Sequence, residues 1–362
     1  MSTQRPRVRR AARGRTARGL RVLLGLAIAA CALGVVEVAA RLGGVLPAYQ
    51  PERMGGWRMY AVASDRVVTG PDGTRFRLRT NADGLRTALG RARTPGVSRV
   101  AFLGDSTAFG WGVDEGGTLA DGMAEGFRAR GRTDVEVLDA AQPGYSTVQA
   151  ARLYETVVAS YAPDVVVMFL PLHDHNRVTV SDREWLAGGA GPLDALRVAL
   201  ATRSRVYELL RRAVTPRPEA PFLRPDEAGG PDVRVPRVSD AERDAALRTL
   251  LAGVSGYGGR LALGHLPFRA DMEGRGPAPR EGLAWAAAWA ARLGVPVVDL
   301  RGCCAGEADG YVLPHDPGHL SARGNRAAGM AAAEVLDTLF LGRGGDAPPQ
   351  RPPAVAPDAT AP

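Results

Sequence analysis

The chain has 362 residues, enough for a sizeable core, and 46 basic against 38 acidic residues, every basic one an arginine. The excess of 8 lies in Arg5, Arg7, Arg9, Arg10, Arg13, Arg15, Arg18 and Arg21, and the first 21 residues contain no acid. A nucleic-acid binder carries its basic stripe on the folded domain, whereas the remainder here is formally neutral, so composition argues against nucleic acid and for a membrane.

Residues 1–21 read as an Arg-rich cytoplasmic segment. Next comes "VLLGLAIAACALGVV", Val22 to Val36, which is uncharged and runs on past Glu37 to Arg41. A spanning helix needs about 20 apolar residues, down to about 17, so residues 22–40 are expected to form a transmembrane anchor with Glu37 near the outer interface. The positive-inside bias then places the rest of the chain outside the cytoplasmic membrane. The same segment also admits a cleaved signal peptide, with a secreted product, or a lipoprotein attached at Cys31 of "IAAC". Cys303 and Cys304 are adjacent, where a bridge would be strained, and read as two small buried thiols.

Residues 41–96 read as a lead-in packed on the main domain, with a hairpin around "TGPDGTRFRLRTNADGLR" turning at Asp72-Gly73. From there aliphatic runs alternate with alanine-rich amphipathic stretches. Strands are expected at Arg99–Leu103, Val135–Ala140, Asp164–Leu170, Arg260–His265 and Pro296–Leu300. Helices are expected at Thr118–Ala129, Ser146–Ala159, Glu281–Leu293 and Ser321–Phe340. That alternation predicts an α/β fold with a parallel sheet covered on both faces. The domain is expected over 97–341, with a helical insertion at about 176–259 that holds Pro192–Ala213 and Asp240–Gly253 and is placed to cover a site. The Pro/Ala-rich tail, 342–362, is too poor in large apolar residues to pack.

The first of these strands ends abruptly in "VAFLGDSTAFGWG", Val100 to Gly112, which raises the question of whether Ser106 caps a helix or attacks a substrate. Ligands of open α/β sheets bind outside the carboxyl ends of the strands, and Ser106 stands on that rim. A nucleophilic serine needs a base, an acid to orient it and donors for the oxyanion. Of five histidines, two flank Asp316 in "PHDPGHLSARGN", where Asp316 precedes His319 by three residues and Ser321 is placed to cap the next helix. Neither G-D-S nor D-x-x-H is specific alone; their joint placement after the first strand and before the last helix is.

With these motifs the chain resembles the SGNH (GDSL-like) hydrolases, particularly membrane-anchored bacterial members, through "NADGLR" (Asn81 to Arg86), "FLGDSTAFGWGV", "PGYSTVQAARL" and "HDPGHLSARGN". The resemblance implies a three-layer α/β/α, flavodoxin-like fold with a mainly parallel five-stranded sheet and neither metal nor organic cofactor. It assigns the nucleophile to Ser106, the base to His319 and the acid to Asp316. The family's oxyanion glycine aligns with Ala141, or alternatively Gly144, beside the N–H of Ser106. Its asparagine is replaced by His173 in "PLHDHN", with His173 or Asn176 as the third donor. The implied activity is that of a serine esterase or acyl transferase, and the extracytoplasmic location read from the N-terminal segment makes an O-acylated glycan or lipid the expected substrate.

Two other functional classes fit parts of the sequence. His173, Asp174, His175, His315, Asp316 and His319 are of metal-ligand type, but a metal leaves the placement of G-D-S unexplained. An inactive relative that binds carbohydrate or assists envelope assembly fits the altered oxyanion residues, and the intact Ser106, Asp316 and His319 argue against it. His265 and Trp111 read as packing residues.

Overall fold

The computed structural model describes residues 6–43, 45, 65–69, 74–184, 196, 200, 203–214, 235–274, 283–304, 306 and 308–342. In chain order these form α1 (Pro6–Leu42), β1 (Asp65–Thr69), β2 (Arg75–Arg79), β3 (Ser98–Leu103), α2 (Ser106–Phe109), α3 (Leu119–Ala129), β4 (Val135–Asp139), α4 (Thr147–Thr156), β5 (Val165–Phe169), β6 (Arg177–Val178), α5 (Arg205–Val214), β7 (Val235–Pro236), α6 (Asp240–Gly256), β8 (Arg260–His265), α7 (Leu283–Leu293), β9 (Val297–Asp299), β10 (Val312–Leu313), β11 (Asp316–Leu320) and α8 (Ala322–Leu336). Short helical turns at 158–161, 172–175, 182–184, 269–272, 301–304 and 337–341 complete them.

Five strands pair in the order β4-β3-β5-β8-β9, and every pairing is parallel. Side chains alternate across the sheet. Val100, Phe102, Val165 and Val167 enter one core cluster, while Ala101, Leu103, Val166 and Met168 enter the other. Helices α3 and α8 cover the first face, and α4, α6 and α7 cover the second, giving the three-layer α/β/α architecture. The first layer is tight because Gly122 and Gly329 let two helix backbones touch. A Cβ on Gly122 would lie 2.8 Å from the Arg326 backbone, and one on Gly329 would lie 2.5 Å from the Met123 nitrogen.

Helix α6 corrects the expected extent of the insertion. Leu247, Leu250 and Val254 are buried in the second cluster with Tyr154 of α4, so α6 is a sheet-covering crossover helix rather than part of a cover. The excursion is shorter and is closed by the antiparallel pair β6–β7, Arg177 with Pro236 and Val178 with Val235. Of the expected helix 192–213, residues 196, 200 and 203–213 are described.

The hairpin pairs β1 with β2, from Asp65 with Arg79 to Thr69 with Arg75. Its expected turn at Asp72-Gly73 lies outside the described residues, as do 46–64 and the tail beyond Gly342. Phe76 and Leu78 join the first core cluster, and Phe76 meets Trp111 edge-on at 4.8 Å. Helix α1 contains a stretch, Leu20–Leu42, that is long and apolar enough to cross a membrane or to serve as a signal sequence. The Cys303 and Cys304 sulfurs lie 2.9 Å apart as thiols; Cys304 is buried and Cys303 partly so.

Candidate active site

Ser106 is not the helix cap. Asp105 holds that position, its Oδ1 accepting from the Thr107 N–H at 2.9 Å and the Thr107 hydroxyl at 2.7 Å. Ser106 becomes the first residue of the one-turn helix α2, which ends at Gly110 in the left-handed region (φ 74°). Buried Arg86 fixes the backbone beyond it, donating to the carbonyls of Phe109 (3.1 Å), Gly110 (2.8 Å) and Val113 (2.7 Å). The serine side chain is thereby released from local capping.

Its hydroxyl meets His319. The Nε2 of His319 lies 2.7 Å from Ser106 Oγ, and its Nδ1 lies 2.7 Å from Asp316 Oδ2. Asp316 and His319 are carried on β11, which pairs with β10 through an irregular register. The Gly318 N–H also donates to Asp316, at 3.2 Å. The hydrogen bond from His319 is the main reason that the Asp316 carboxyl is held below its ordinary range. Ser321 caps α8 immediately afterwards, accepting from the Gly324 N–H. Residues 213 positions apart therefore form one continuous hydrogen-bonded chain.

The loop after β4 is laced to the strand that leads to Ser106, the Gln142 N–H donating to the Gly104 carbonyl at 3.0 Å. Ala141 is unsuited to the part expected of it. Its N–H is spent on Asp139 Oδ1 at 3.0 Å, because the aspartate ending β4 folds back on the backbone two residues on. Gly144 is the other residue the sequence offered for that part. It occupies the third position of a turn closed by the Tyr145 N–H on the Gln142 carbonyl, with φ 73° and Pro143 before it. No hydrogen bond to a described residue occupies the N–H of Ser106 or Gly144.

The loop after β5 completes the rim. The Leu172 N–H donates to Asp105 Oδ2 at 2.9 Å, so one carboxylate orients both the helix that begins at Ser106 and this loop. Asp174 is wholly buried and accepts from the Thr147 N–H (2.8 Å), the Thr147 hydroxyl (2.6 Å) and Arg243 Nε (2.8 Å). It joins this loop to α4, which begins just after Gly144. His173 and Asn176, read as rivals in the sequence, are partners. The Asn176 amide nitrogen lies 3.1 Å from His173 Nδ1. An amide nitrogen only donates, so a hydrogen bond here requires the tautomer in which Nδ1 accepts and Nε2 carries the ring proton.

Sequence reading missed Asp105, Asp139 and the Asp174–Arg243 pair as site-shaping groups. For Asp105, Asp139 and Asp174 the available signal was a position in or beside a motif, and for Arg243 there was none. Among the described residues no group of three or more His, Cys, Asp or Glu side chains is disposed to hold a metal ion. His265 is buried against Asp271, 3.1 Å away, and burial pushes its imidazole below the ordinary value.

The family model for GDSL-like lipases/acylhydrolases matches residues 102–327, well over half of the chain. The chain belongs to the GDSL-like lipase/acylhydrolase family. It is accordingly an ester hydrolase by family. No curated protein matches it. Among solved structures, a lipase/acylhydrolase from Enterococcus faecalis is 18% identical, covering 67% of this chain and 96% of its own, with a TM-score of 0.42. A G-D-S-L family lipolytic protein from Veillonella parvula is 15% identical over 67% and 100%, TM-score 0.39. An acetyl xylan esterase is 18% identical over 66% and 99%, TM-score 0.39. Likeness at this level carries no argument about substrate.

Proposed function

We propose that this GDSL-like family member is a membrane-anchored serine esterase, its catalytic domain outside the cytoplasmic membrane, that acts through an acyl-enzyme on Ser106. The observation that carries the reading is the 2.7 Å contact of His319 Nε2 with Ser106 Oγ, backed by the 2.7 Å contact of Nδ1 with Asp316. Ser106 Oγ bonds to the ester carbonyl carbon while its proton passes to Nε2. Asp316 holds the tautomer and steadies the imidazolium. Collapse of the tetrahedral intermediate breaks the bond to the alcohol oxygen, which takes the proton from Nε2. Water, deprotonated by the same nitrogen, then releases the acid and restores Ser106.

Negative charge on the former carbonyl oxygen needs preorganised donors, and the reading assigns three. These are the N–H groups of Ser106 and Gly144 and the Nε2–H of His173. Location outside the membrane supports an O-acylated glycan or lipid as the ester. The test is hydrolysis of short-chain p-nitrophenyl esters and labelling by a fluorophosphonate. Wild type should do both and Ser106→Ala neither. Activity that survives Ser106→Ala overturns the reading, and a folded wild type that neither hydrolyses nor labels returns it to a binding protein.

A further inference from the structure

Glu37 is a carboxylate within the apolar stretch of α1, and the structure gives it a task. Its Oε2 accepts from the backbone N–H groups of Arg205 (2.7 Å) and Val206 (2.9 Å) and lies 3.3 Å from the Ser204 hydroxyl. Arg41 donates to the Arg203 carbonyl at 2.8 Å. One turn of α1 thus caps the start of α5 and satisfies backbone donors that a helix leaves open. Ala40 is buried at this junction and Glu37 partly so, while the other residues of the stretch are exposed.

Helix α5 then presents apolar surface to the outside. Leu209, Leu210 and Val214 are 37%, 60% and 81% exposed, and Leu196 and Leu200 just upstream are exposed as well. Outside α1, the other large apolar side chains exposed among the described residues are Val67, Tyr257 and Leu339, scattered singly. Isolated exposed leucines need no explanation, whereas a cluster marks an interaction surface.

We infer that α5 lies in the interfacial layer of the membrane spanned by α1, its leucines among the upper acyl chains. The inference rests on the anchor reading of residues 20–42. Twenty-three residues at 1.5 Å each span roughly 35 Å, longer than the ~30 Å hydrocarbon core, so the last turn emerges at the surface. Glu37 lies five residues before the end, about 8 Å along the axis. That matches the roughly 5–10 Å depth at which an amphipathic helix rests in the interface. A lipid occupant is favoured because the first turn of α5 is fastened through Glu37 and Arg41 to α1, whose own apolar side chains are exposed. Since β6 follows the rim loop at His173–Asn176, the excursion carrying α5 starts at the candidate active site and would hold it beside the bilayer.

A photoreactive benzophenone amino acid placed at Leu26, Leu210 or Arg152 in the full chain tests this, in vesicles of phosphatidylethanolamine and phosphatidylglycerol. All three side chains are exposed, so folding is undisturbed. Lipid adducts are expected at 26 and 210 and not at 152 on α4. Glu37→Ala should lower the adduct yield at 210 roughly fivefold, the effect of losing an N-cap, and leave 26 unchanged. Adducts at 26 with none at 210, or with protein crosslinks there, overturn the inference while sparing the anchor. No adduct at 26 overturns both.

Discussion

The amide of Asn176 donates to His173 Nδ1, and this bond decides which ring nitrogen carries the proton. Removing an oxyanion donor costs about 10² to 10³ in kcat, so His173→Ala should lose that much with KM little changed. His173→Asn should recover much of it, since an amide donates as well. Asn176→Asp is the sharper probe. A carboxylate only accepts, which draws the proton to Nδ1 and strips the donor from Nε2, so turnover should fall toward that of His173→Ala. Steady-state kinetics that leave Asn176→Asp at wild-type kcat would remove His173 from the oxyanion site.

Asp139 makes stability depend on pH. Burial pushes its carboxyl well above the ordinary value, although Arg86 pulls the other way, and its Oδ2 has no partner among the described residues. A carboxyl raised in the folded state favours folding below its unfolded pKa of about 3.9, and that advantage is lost as pH rises toward the folded value. Asp139→Asn keeps an acceptor for the Ala141 N–H and cannot ionise. The Tm of the variant minus that of wild type should therefore grow as pH is raised from 4 to 8, by thermal melts. A difference independent of pH contradicts the assignment.

The Asp174–Arg243 pair is buried on both sides, with Arg243 set over Trp285 at 4.9 Å. Breaking such a pair on one side costs about 3–5 kcal/mol. Arg243→Met should destabilise by that order in urea titration and should lower kcat at temperatures where the variant stays folded, because Asp174 positions the rim loop.

Two glycines should respond in opposite directions to alanine. Gly329→Ala sets a Cβ against the backbone of α3 and should cost about 2 kcal/mol, overpacking outweighing the gain in helix propensity. Gly256→Ala meets nothing within 4 Å and should be neutral or stabilise by up to about 1 kcal/mol. Equal effects in denaturant titrations would contradict the packing of α3 on α8.

The five sheet strands were legible because their β-branched runs are buried on both faces and bounded by polar turns. The chain from Ser106 through His319 to Asp316 was legible because its members sit in two short motifs, one after the first sheet strand and one just before the last helix. Two things were not. An amphipathic helix reads the same whether it covers a sheet or a cleft, so α6 was grouped with the excursion until its partner, α4, was known. The N–H of Ala141 was out of reach for a different reason: alignment locates a residue, but the direction of the neighbouring Asp139 carboxyl decides whether its donor is free.

The two-residue bridge of Val178 with Val235 brings the start and finish of the excursion together as neighbouring strands, about 5 Å apart. For a loop pinched shut in this way, doubling its length adds only about 0.6 kcal/mol of closure entropy. The neck extends past the bridge, because buried Asp182 pairs with Arg237, which also donates to Gln149 of α4, and the Ser181 hydroxyl donates to Glu242 of α6. Only what lies beyond Glu184 is in effect an exchangeable cassette: a graft of different length or chemistry there leaves this neck, and with it the strands that hold Ser106 and His319, in register.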